Sequence, residues 1–300
     1  MIWNESFTGR GGVRLRHSSP LENYVFNKPY FDPAGLVVAH EDDQFVGFVH
    51  AGFGPGADHS ALRSADGVIC LIGVRPAYRR RGIGSELLRR AESYLSAAGA
   101  TSLYAGPMAP LTPFYFGLYG GSEMPGFLVS DAEMGPFLEH RGYQICRTAR
   151  VFQRFLNQPL NVTDARFPFF RRRFEVRIAP RTGPTSWWEE CVLGPIEIVD
   201  FRLEDKNTSR VVGRTSVWEM DGFSWRWNQP AVGILGTEIE ESFRRQGLGK
   251  YVVSQMLRYL QEQFFGVAEV HASEDNEPAI KLYENLGFEC VDTGHLYVKS

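Results

Sequence analysis

RRRGIGSELL (residues 79–88) and RRQGLGKYVV (residues 244–253) share one pattern. In each stretch, basic residues precede Gly-x-Gly, and an apolar-periodic run follows. This pattern predicts a tight turn that leads into an amphipathic helix. Because the pattern occurs twice in 300 residues, in similar surroundings, it indicates an internal repeat. We therefore expect two copies of one α/β unit.

Both halves of the chain have the same predicted order of elements: strands, the loop, a helix, a strand, a second helix and a closing strand. In the first half, VRLRHSS (13–19) predicts a strand, LVVAHEDDQFVGFVHAGF (36–53) a hairpin and GVICLIGV (67–74) a buried strand. In the second half, AVGILGTEI (231–239) predicts the buried strand before the loop. Pro, Asn and Asp interrupt the pattern in LNQPLNVTD (156–164), so we predict an N-terminal domain of residues 1–160 and a C-terminal domain of residues 161–300.

Composition narrows the classes of function. A hydrophobic content of 43% with 22% charged residues is typical of a soluble globular protein, and a net charge of -3 argues against nucleic acid as a partner. The dense basic run in FPFFRRRFEV (167–176) is interpreted as a solvated strand edge. The four cysteines have neither zinc-ligand nor disulfide spacing. Without a signal peptide or a long apolar run, the sequence favours a cytoplasmic protein with no membrane partner.

The two loops are expected to hold an anionic group. The first N–H groups of a helix have no carbonyl partner within it, and the aligned peptide dipoles make that end positive. Glycine lacks a Cβ, so Gly82 and Gly84 would let an anion approach the amides, as would Gly247 and Gly249. A single Gly-x-Gly could serve only as a tight turn, but two copies in matching contexts favour binding of a phosphate or pyrophosphate.

Neither loop matches the common nucleotide motifs. The dinucleotide fingerprint requires a third glycine three positions after the second, where Leu87 and Val252 stand. A P-loop would require glycine in place of Arg244 and serine or threonine in place of Tyr251. The phosphate is therefore expected to belong to another kind of ligand.

At these residues the chain resembles the GNAT superfamily of acyl-CoA-dependent N-acetyltransferases. Arg-x-x-Gly-x-Gly after a strand, with Val74 and Pro76 before Arg79, resembles the signature by which that family binds the CoA pyrophosphate. NEPAIKLYENLGF (276–288) resembles the family's later motif, on the helix that flanks the thioester. The resemblance covers nearly the whole chain as two tandem copies. It implies a mixed α/β fold with two GNAT-like domains, each a mostly antiparallel mixed sheet flanked by helices.

The resemblance also implies a set of contacts to acetyl-CoA and requires no metal. In the second copy the implied contacts are Ile239, Arg244, Arg245, Gln246, Gly247, Leu248, Gly249, Lys250 and Asn276. In the first copy they are Val74, Arg79, Arg80, Arg81, Gly82, Ile83, Gly84 and Ser85. A backbone N–H near Ile239, where the strands of this family splay apart around a bulge, is expected to hold the oxyanion.

Chemistry is expected in the second copy. Acetyl transfer requires a deprotonated amine and a proton for the departing thiolate. In the family the proton often comes from a tyrosine at the position of Tyr283, whereas the first copy has Leu138 there. A packed core aromatic is the alternative interpretation of Tyr283. The first copy is therefore expected to be catalytically degenerate.

The first copy also carries an insertion, GPMAPLTPFYFGLYGGSEMPG (106–126). Its Tyr115 and Tyr119 could supply a hydroxyl in place of the missing tyrosine. The segment is rich in Gly, Pro and aromatic residues. It could line a substrate cleft between domains or pack on its own side chains.

The general base does not follow from a motif of the sequence. Many members of the family carry a glutamate on the buried strand, at positions where this chain has Gly233 and Val68. Glu238, nearer the loop on the same strand, is the catalytic candidate, and Glu219 at the end of the preceding strand is another possibility. A solvated strand end is the alternative interpretation of Glu238, and a water relay could replace a side-chain base.

Together these features predict an N-acetyltransferase. It would transfer an acetyl group from acetyl-CoA to a primary amine by direct attack in a ternary complex, with a small molecule or a peptide as the acceptor. The alternative is a noncatalytic acyl-CoA-binding or sensing protein whose loops persist while its catalytic groups have drifted.

Overall fold

A computed structural model describes residues 2–299, which form two compact units. The first unit contains residues up to 149 together with 184–195 and residues from 292 onward. The second contains residues 150–183 and 196–291. Both units are discontinuous in sequence, whereas the boundary near residue 160 divides the chain once. That boundary stays a prediction about the sequence repeat.

The first unit is a mixed sheet flanked by helices. Its strands follow the order β1-β2-β3-β4-β12-β6, and β5 pairs with β12. The strands are β1 (Leu36–Glu41), β2 (Gln44–Pro55), β3 (Leu62–Val74), β4 (Ser102–Ala105), β5 (Phe127–Leu128) and parts of β6 (Gln144–Phe155) and β12 (Glu289–Lys299). The helices are α1 (Ile2–Ser6), the short α2 (Ser19–Leu21), α3 (Ile83–Ala97), α4 (Met134–Glu139) and α6 (Trp187–Leu193).

The second unit repeats this arrangement. Its sheet order is β6-β11-β10-β9-β8-β7, in which β10 and β11 are parallel and β7 to β10 are antiparallel. The strands are β7 (Phe174–Pro180), β8 (Ile198–Asp205), β9 (Arg210–Glu219), β10 (Ala231–Ile239) and β11 (Val267–Ser273). The helices are α5 (Phe167–Arg173), α7 (Asp221–Trp227), α8 (Leu248–Glu262) and α9 (Glu277–Asn285).

Apolar periodicity explains the two long helices. In α3 the buried side chains are Leu87, Leu88, Ala91 and Leu95. They recur at helical spacing and therefore form one stripe against the sheet. In α8 the corresponding stripe joins a core cluster that also contains β11 and α9. The predicted helix after each glycine loop is confirmed.

A β-bulge interrupts the buried strand of each unit. Between β2 and β3, His50 pairs with Leu71 and Ala51 with Ile69, which leaves Cys70 as the extra residue. Between β9 and β10 the register shifts between Ile234 and Thr237, where Gly236 has φ 70°. A bulge of this kind bends its strand. In the second unit it lies next to the end of the β10–β11 ladder.

Two local predictions were wrong. VRLRHSS (13–19) was expected to be a strand, but it lies outside the strands: the Val13 N–H donates to the Leu118 carbonyl of the insertion, and the Leu15 N–H donates to the Asn4 Oδ1. The basic run 171–173 was expected at a strand edge, but it forms the last turn of α5. Its charges are favourable there because the C-terminal end of a helix is negative.

Helix α6 joins the first unit although it lies between two strands of the second unit in sequence. The Trp188 ring stacks on Tyr30 at a centroid distance of 5.5 Å. The Lys28 ammonium is buried, with 8% of the residue exposed, and donates hydrogen bonds to the carbonyls of Cys191 and Val192. These carbonyls lie in the last turn of the helix, where carbonyl groups have no N–H partner within the helix. Lys28 therefore caps α6.

A carboxylate is buried within the sheet of the second unit. Asp200 is 1% exposed and accepts hydrogen bonds from Ser216 (2.8 Å), Arg181 (3.1 Å) and Arg202 (3.1 Å). Burial alone would raise its pKa. The hydrogen bond from Ser216 and the two guanidinium groups outweigh burial, so the pKa of Asp200 lies below its usual value of 3.8. The carboxylate is therefore charged and partnered in the folded protein.

Candidate active site

Both glycine loops have the same backbone geometry. Each begins with a 3₁₀ turn, Pro76–Tyr78 in the first unit and Glu241–Phe243 in the second. A left-handed residue follows, Arg80 with φ 61° or Arg245 with φ 60°. Left-handed residues in such turns let successive N–H groups converge on one point, which is how a loop binds an anion.

The helix after each loop begins without a side-chain cap. The N-cap residues are Gly82 (φ 83°) and Gly247 (φ 91°), and within residues 2–299 neither helix start has a capping side chain. By contrast, the Asn276 Oδ1 accepts a hydrogen bond from the Ala279 N–H at 3.2 Å and so caps α9. The uncapped amides of α3 and α8 are available to an external anion. This geometry fits a CoA pyrophosphate.

The remaining predicted contacts surround these amides. Ile83, Gly84 and Ser85 form the first turn of α3, and Leu248, Gly249 and Lys250 form the first turn of α8. A Cβ on Gly249 would lie 3.6 Å from Leu282 and 3.8 Å from Ile239, so the loop packs between β10 and α9. The Asn276 side-chain oxygen is engaged in capping, which leaves its amide NH₂ group as the part that could contact a ligand.

The first arginine of each loop has a structural contact. The Arg79 Nε donates a hydrogen bond to the Val74 carbonyl at 3.0 Å, and the Arg244 Nε donates to the Ile239 carbonyl at 2.9 Å. These equivalent bonds tie each loop to the end of its strand. Any ligand contact of Arg79 or Arg244 would therefore use the outer N–H groups of the guanidinium.

Arg166 is a basic residue at the second loop that the sequence analysis missed. Its NH1 donates a hydrogen bond to the Gln246 carbonyl at 2.8 Å, and a Cβ on Gly247 would lie 2.6 Å from its NH2. Asp164 holds the guanidinium through two hydrogen bonds of 2.8 and 2.7 Å, which lower the pKa of Asp164. Lys250 lies 3.9 Å from the same carboxylate. No local motif could have indicated Arg166, because it lies far from the loop in sequence.

The arginines of the first loop meet carboxylates. Arg79 and Arg80 each lie 3.3 Å from Glu133, and Arg81 lies 3.4 Å from Glu41. These pairs are largely exposed, so each contributes little stability. They nevertheless offset the positive charge that the first loop would present to an anion.

Tyr283 lies where β10 departs from β11. Its ring belongs to the core of the second unit and is 3% exposed, with Phe288 at a centroid distance of 5.6 Å. Its hydroxyl lies 3.4 Å from the Thr237 Oγ1, and Thr237 is the first ladder residue after the bulge. Leu138, the corresponding residue of the first unit, is fully buried. The two units therefore differ in chemistry at equivalent positions.

The insertion of the first unit packs as core. Tyr115 and Tyr119 are 3% and 1% exposed. The Tyr115 hydroxyl lies 3.0 Å from the His50 Nδ1, and the Tyr119 hydroxyl donates to Asp131 at 2.5 Å. Burial raises the pKa of both tyrosines well above the usual range. The segment therefore packs into the core of the first unit, on side chains such as Trp3 and His50 rather than only on its own, and its role at a substrate cleft stays a prediction.

The surroundings of Glu238 are those of a strand end. Its side chain is 77% exposed, and Arg214 donates to its Oε2 at 3.3 Å. Its role as the base stays a prediction. Gly233, where many members of the family carry a glutamate, pairs in register with Glu269 of β11, which is fully buried. A carboxylate is thus present beside the expected position, on the neighbouring strand.

β10 and β11 separate after residue 234, before the position near Ile239 that the sequence analysis predicted. The β10–β11 ladder ends at the pair Ile234–Val270, and the bulge follows directly. Ile239, near which the oxyanion contact was predicted, pairs with Gly213 and accepts the hydrogen bond from Arg244. The backbone from 235 to 237 lies nearer the divergence than Ile239 does.

Comparison with known proteins identifies the family. The profile described as "Acetyltransferase (GNAT) family" matches residues 3–117 and again residues 166–288. The chain is 25% identical over 282 residues to a protein named mycothiol acetyltransferase from Rhodococcus jostii, covering 88% of this chain and 82% of that one. It is 22% identical over 302 residues to a protein of the same name from Thermobifida fusca, covering 95% and 86%.

Solved structures show the same fold. A tandem GNAT protein from the clavulanic acid biosynthesis pathway superposes with a TM-score of 0.63 at 16% identity, covering 98% of this chain and 91% of that one. A GCN5-related glucosamine N-acetyltransferase region of a fungal enzyme gives a TM-score of 0.66 at 13% identity, covering 99% of this chain and 36% of that one. Among residues 2–299, none of the helices has the length and apolar character that crossing a bilayer requires.

Proposed function

Because the chain belongs to the acetyltransferase (GNAT) family, we propose that it transfers an acetyl group from acetyl-CoA to a primary amine by direct attack in a ternary complex. The second unit carries the reaction, and the first unit is catalytically degenerate. The acceptor is a small molecule or a peptide with a free amine. The relatives named mycothiol acetyltransferase support a small-molecule acceptor.

The second loop is the proposed site for the pyrophosphate of CoA. The amides of residues 245–250 lie in the loop and at the uncapped start of α8, and Arg245, Lys250 and Arg166, which Asp164 holds, lie beside them. Acetyl-CoA, when bound, supplies an activated acetyl thioester. The chain holds that group so that the amine and the acetyl carbon meet in one orientation, which by itself lowers the barrier.

The position of the Tyr283 hydroxyl carries the proposal of catalysis. It lies at the divergence of β10 and β11, 3.4 Å from the Thr237 Oγ1. A phenol at that place can give its proton to a departing thiolate. Leu138 has no proton to give, which is why the first unit is assigned no turnover.

Tyr283→Phe tests this proposal, with Tyr259→Phe as the matched control. Tyr259 lies near the far end of α8, and its ring packs on Phe201 at 5.4 Å. We expect Tyr283→Phe to lower turnover by roughly 10²–10⁴-fold, as for the loss of a general acid. The affinity for acetyl-CoA should be unchanged. The assay follows the loss of thioester absorbance with a panel of primary amines that includes amino sugars, and calorimetric titration gives the affinity.

The outcomes separate the candidate functions. A Tyr283→Phe protein as active as the control would remove Tyr283 from the mechanism. A wild-type protein that binds acetyl-CoA but consumes it with no amine would favour the noncatalytic sensing role, for which Gly233 at the position of the family's glutamate is the supporting observation. A folded protein that does not bind acetyl-CoA would contradict both.

A further inference from the structure

A buried imidazole–carboxylate pair lies on β11. Glu269 and the His271 side chain are 0% and 5% exposed. The Glu269 Oε1 lies 3.3 Å from the His271 Nε2, and its Oε2 accepts a 2.7 Å hydrogen bond from the Gln153 Nε2 of β6. A carboxylate is costly to bury unless its oxygens are partnered. Gln153 and His271 supply those partners, and the carboxylate in turn fixes the imidazole.

The other ring nitrogen of His271 is unused. Nδ1 is buried and has no hydrogen-bond partner among the residues that the structure describes. The carboxylate that faces Nε2 favours, for a neutral imidazole, the tautomer with the proton on Nε2 and the lone pair on Nδ1. A buried polar atom without a partner destabilises the fold. Among the described residues, no donor satisfies this acceptor.

The position of His271 points to the reaction centre. It is the first residue of β11 beyond the ladder with β10, which ends at the pair Ile234–Val270. Val270 and Ala272 belong to the core beneath α8 and α9, so strand alternation places Glu269 and His271 on the opposite face of the sheet. Tyr283 belongs to the α9 side. The phenol and the imidazole thus flank the same divergence of strands from opposite faces.

We infer that the His271 Nδ1 is the general base that accepts the proton of the attacking amine, and that Glu269 positions the imidazole for this role. The inference rests on the proposed function, since it requires an amine to attack an acetyl thioester at this divergence. It assigns the base to a pair that no motif in the sequence marks. It also separates the base from the exposed Glu238.

The proposed acetyl transfer conserves protons. The amine nitrogen forms a bond to the acetyl carbon and loses one proton to the His271 Nδ1. The bond between that carbon and sulfur breaks, and sulfur takes one proton from the Tyr283 hydroxyl. The imidazolium, stabilised by Glu269, then returns its proton through solvent to the tyrosinate. The net products are the amide and the free thiol, and both side chains regain their starting state.

The first test compares His271→Gln with Glu238→Gln in the full chain. We expect His271→Gln to lower the turnover of the best primary amine in the panel by roughly 10²–10⁴-fold, the usual effect of losing a general base, with unchanged affinity for acetyl-CoA. Glu238→Gln tests the competing assignment of the base and should lose less turnover than His271→Gln. With hydroxylamine, which is mostly unprotonated at neutral pH and needs less help from a base, the loss in His271→Gln should be smaller.

Each outcome of this test decides something. If the wild type consumes acetyl-CoA and His271→Gln does so equally fast, the inference about the base is wrong while the proposed function stands. If Glu238→Gln loses turnover instead, the base is Glu238. If the wild type consumes no acetyl-CoA with any amine or with water, the proposed function and the inference both fail.

A second test uses a spectroscopic readout of the His271 tautomer. In ¹⁵N-histidine NMR spectra, His271 should show the tautomer with the proton on Nε2, and Glu269→Gln should shift its signals. The chain has 7 histidines, so the signal is assigned by its loss in His271→Gln or, should that variant not fold, by its shift in Glu269→Gln. Glu269→Gln should also reduce turnover about tenfold without changing acetyl-CoA affinity. A proton found on Nδ1 would overturn the inference.

Discussion

Replacing Lys28 by methionine should change how the stability of the protein depends on pH. The Lys28 ammonium is buried beneath the C-terminal end of α6, where it donates to the carbonyls of Cys191 and Val192. Burial lowers its pKa from 10.5 to about 8, against the weaker opposing effects of Cys191 and Glu190. The folded protein therefore releases this proton at a lower pH than the unfolded chain does.

The sign and size of the effect follow from that difference. Below pH 8 both states hold the proton, so Lys28 adds no pH dependence. Between pH 8 and 10.5 the unfolded chain binds more protons, and stability rises with pH. A shift from 10.5 to about 8 corresponds to a gain of about 3 kcal/mol across this interval. Lys28→Met has no such proton and should lack the gain.

The assay is denaturant unfolding of both proteins at several pH values from 7 to 10.5, followed by tryptophan fluorescence. Trp188 reports directly, since it is buried in α6. Groups that do not contact Lys28 titrate alike in the two proteins, so only the difference in unfolding free energy is interpreted. If the free energies of unfolding of wild type and Lys28→Met changed with pH in parallel, the reasoning that deprotonation of the buried Lys28 stabilises the fold would be refuted.

Three further predictions concern the second unit. Arg166→Ala should weaken acetyl-CoA binding at least tenfold, because a hydrogen bond to a charged group contributes roughly 1.5–3 kcal/mol; unchanged affinity in calorimetric titration would show that the guanidinium does not reach the ligand. Gly247→Ala puts a side chain at φ 91° and forces Arg166 away from the Gln246 carbonyl, so it should lower Tm more than Gly183→Ala, whose φ of 76° brings similar strain with open space around it. Equal losses would contradict the Arg166 contact. Asp200→Asn removes a carboxylate whose pKa lies below 3.8 in the fold, so its stability deficit relative to the wild type should be constant near neutral pH and shrink as pH falls below 3.8; acid titrations of unfolding that stay parallel would contradict this.

Local sequence was sufficient for most elements. β10 (Ala231–Ile239) coincides with the predicted buried strand, and α8 begins directly after the predicted loop. These elements carry strong periodicity and are bounded by Gly, Pro or Asn. The errors at 13–19 and 167–173 lie in short stretches with mixed signals. Aromatic residues such as Phe167 and Phe170 fit a helix or a strand equally well. Tertiary packing therefore decided that residues 167–173 form a helix.

The residues of the candidate site also fall into those that the sequence indicated and those that only the fold brings together. The glycine loops and Tyr283 belong to contiguous motifs, so their spacing alone indicated them. Arg166 reaches the loop from a distant part of the chain, and the Glu269–His271 pair becomes meaningful only because Gln153 of another strand completes it and because the ladder to β10 ends beside it. Neither arrangement has a local signature.

The sequence by itself therefore determined the repeat, the two loops and the helices that follow them, because short-range periodicity, glycine conformation and helix N-terminal amides act within a few residues of the chain. Only the tertiary structure decided where the segments belong: α6 and the end of β12 join the first unit, and β6 contributes to both. Only the tertiary structure decided which polar groups meet in the core. Such choices depend on competition among partners far apart in sequence, where burial and hydrogen bonding of the whole unit outweigh local preference.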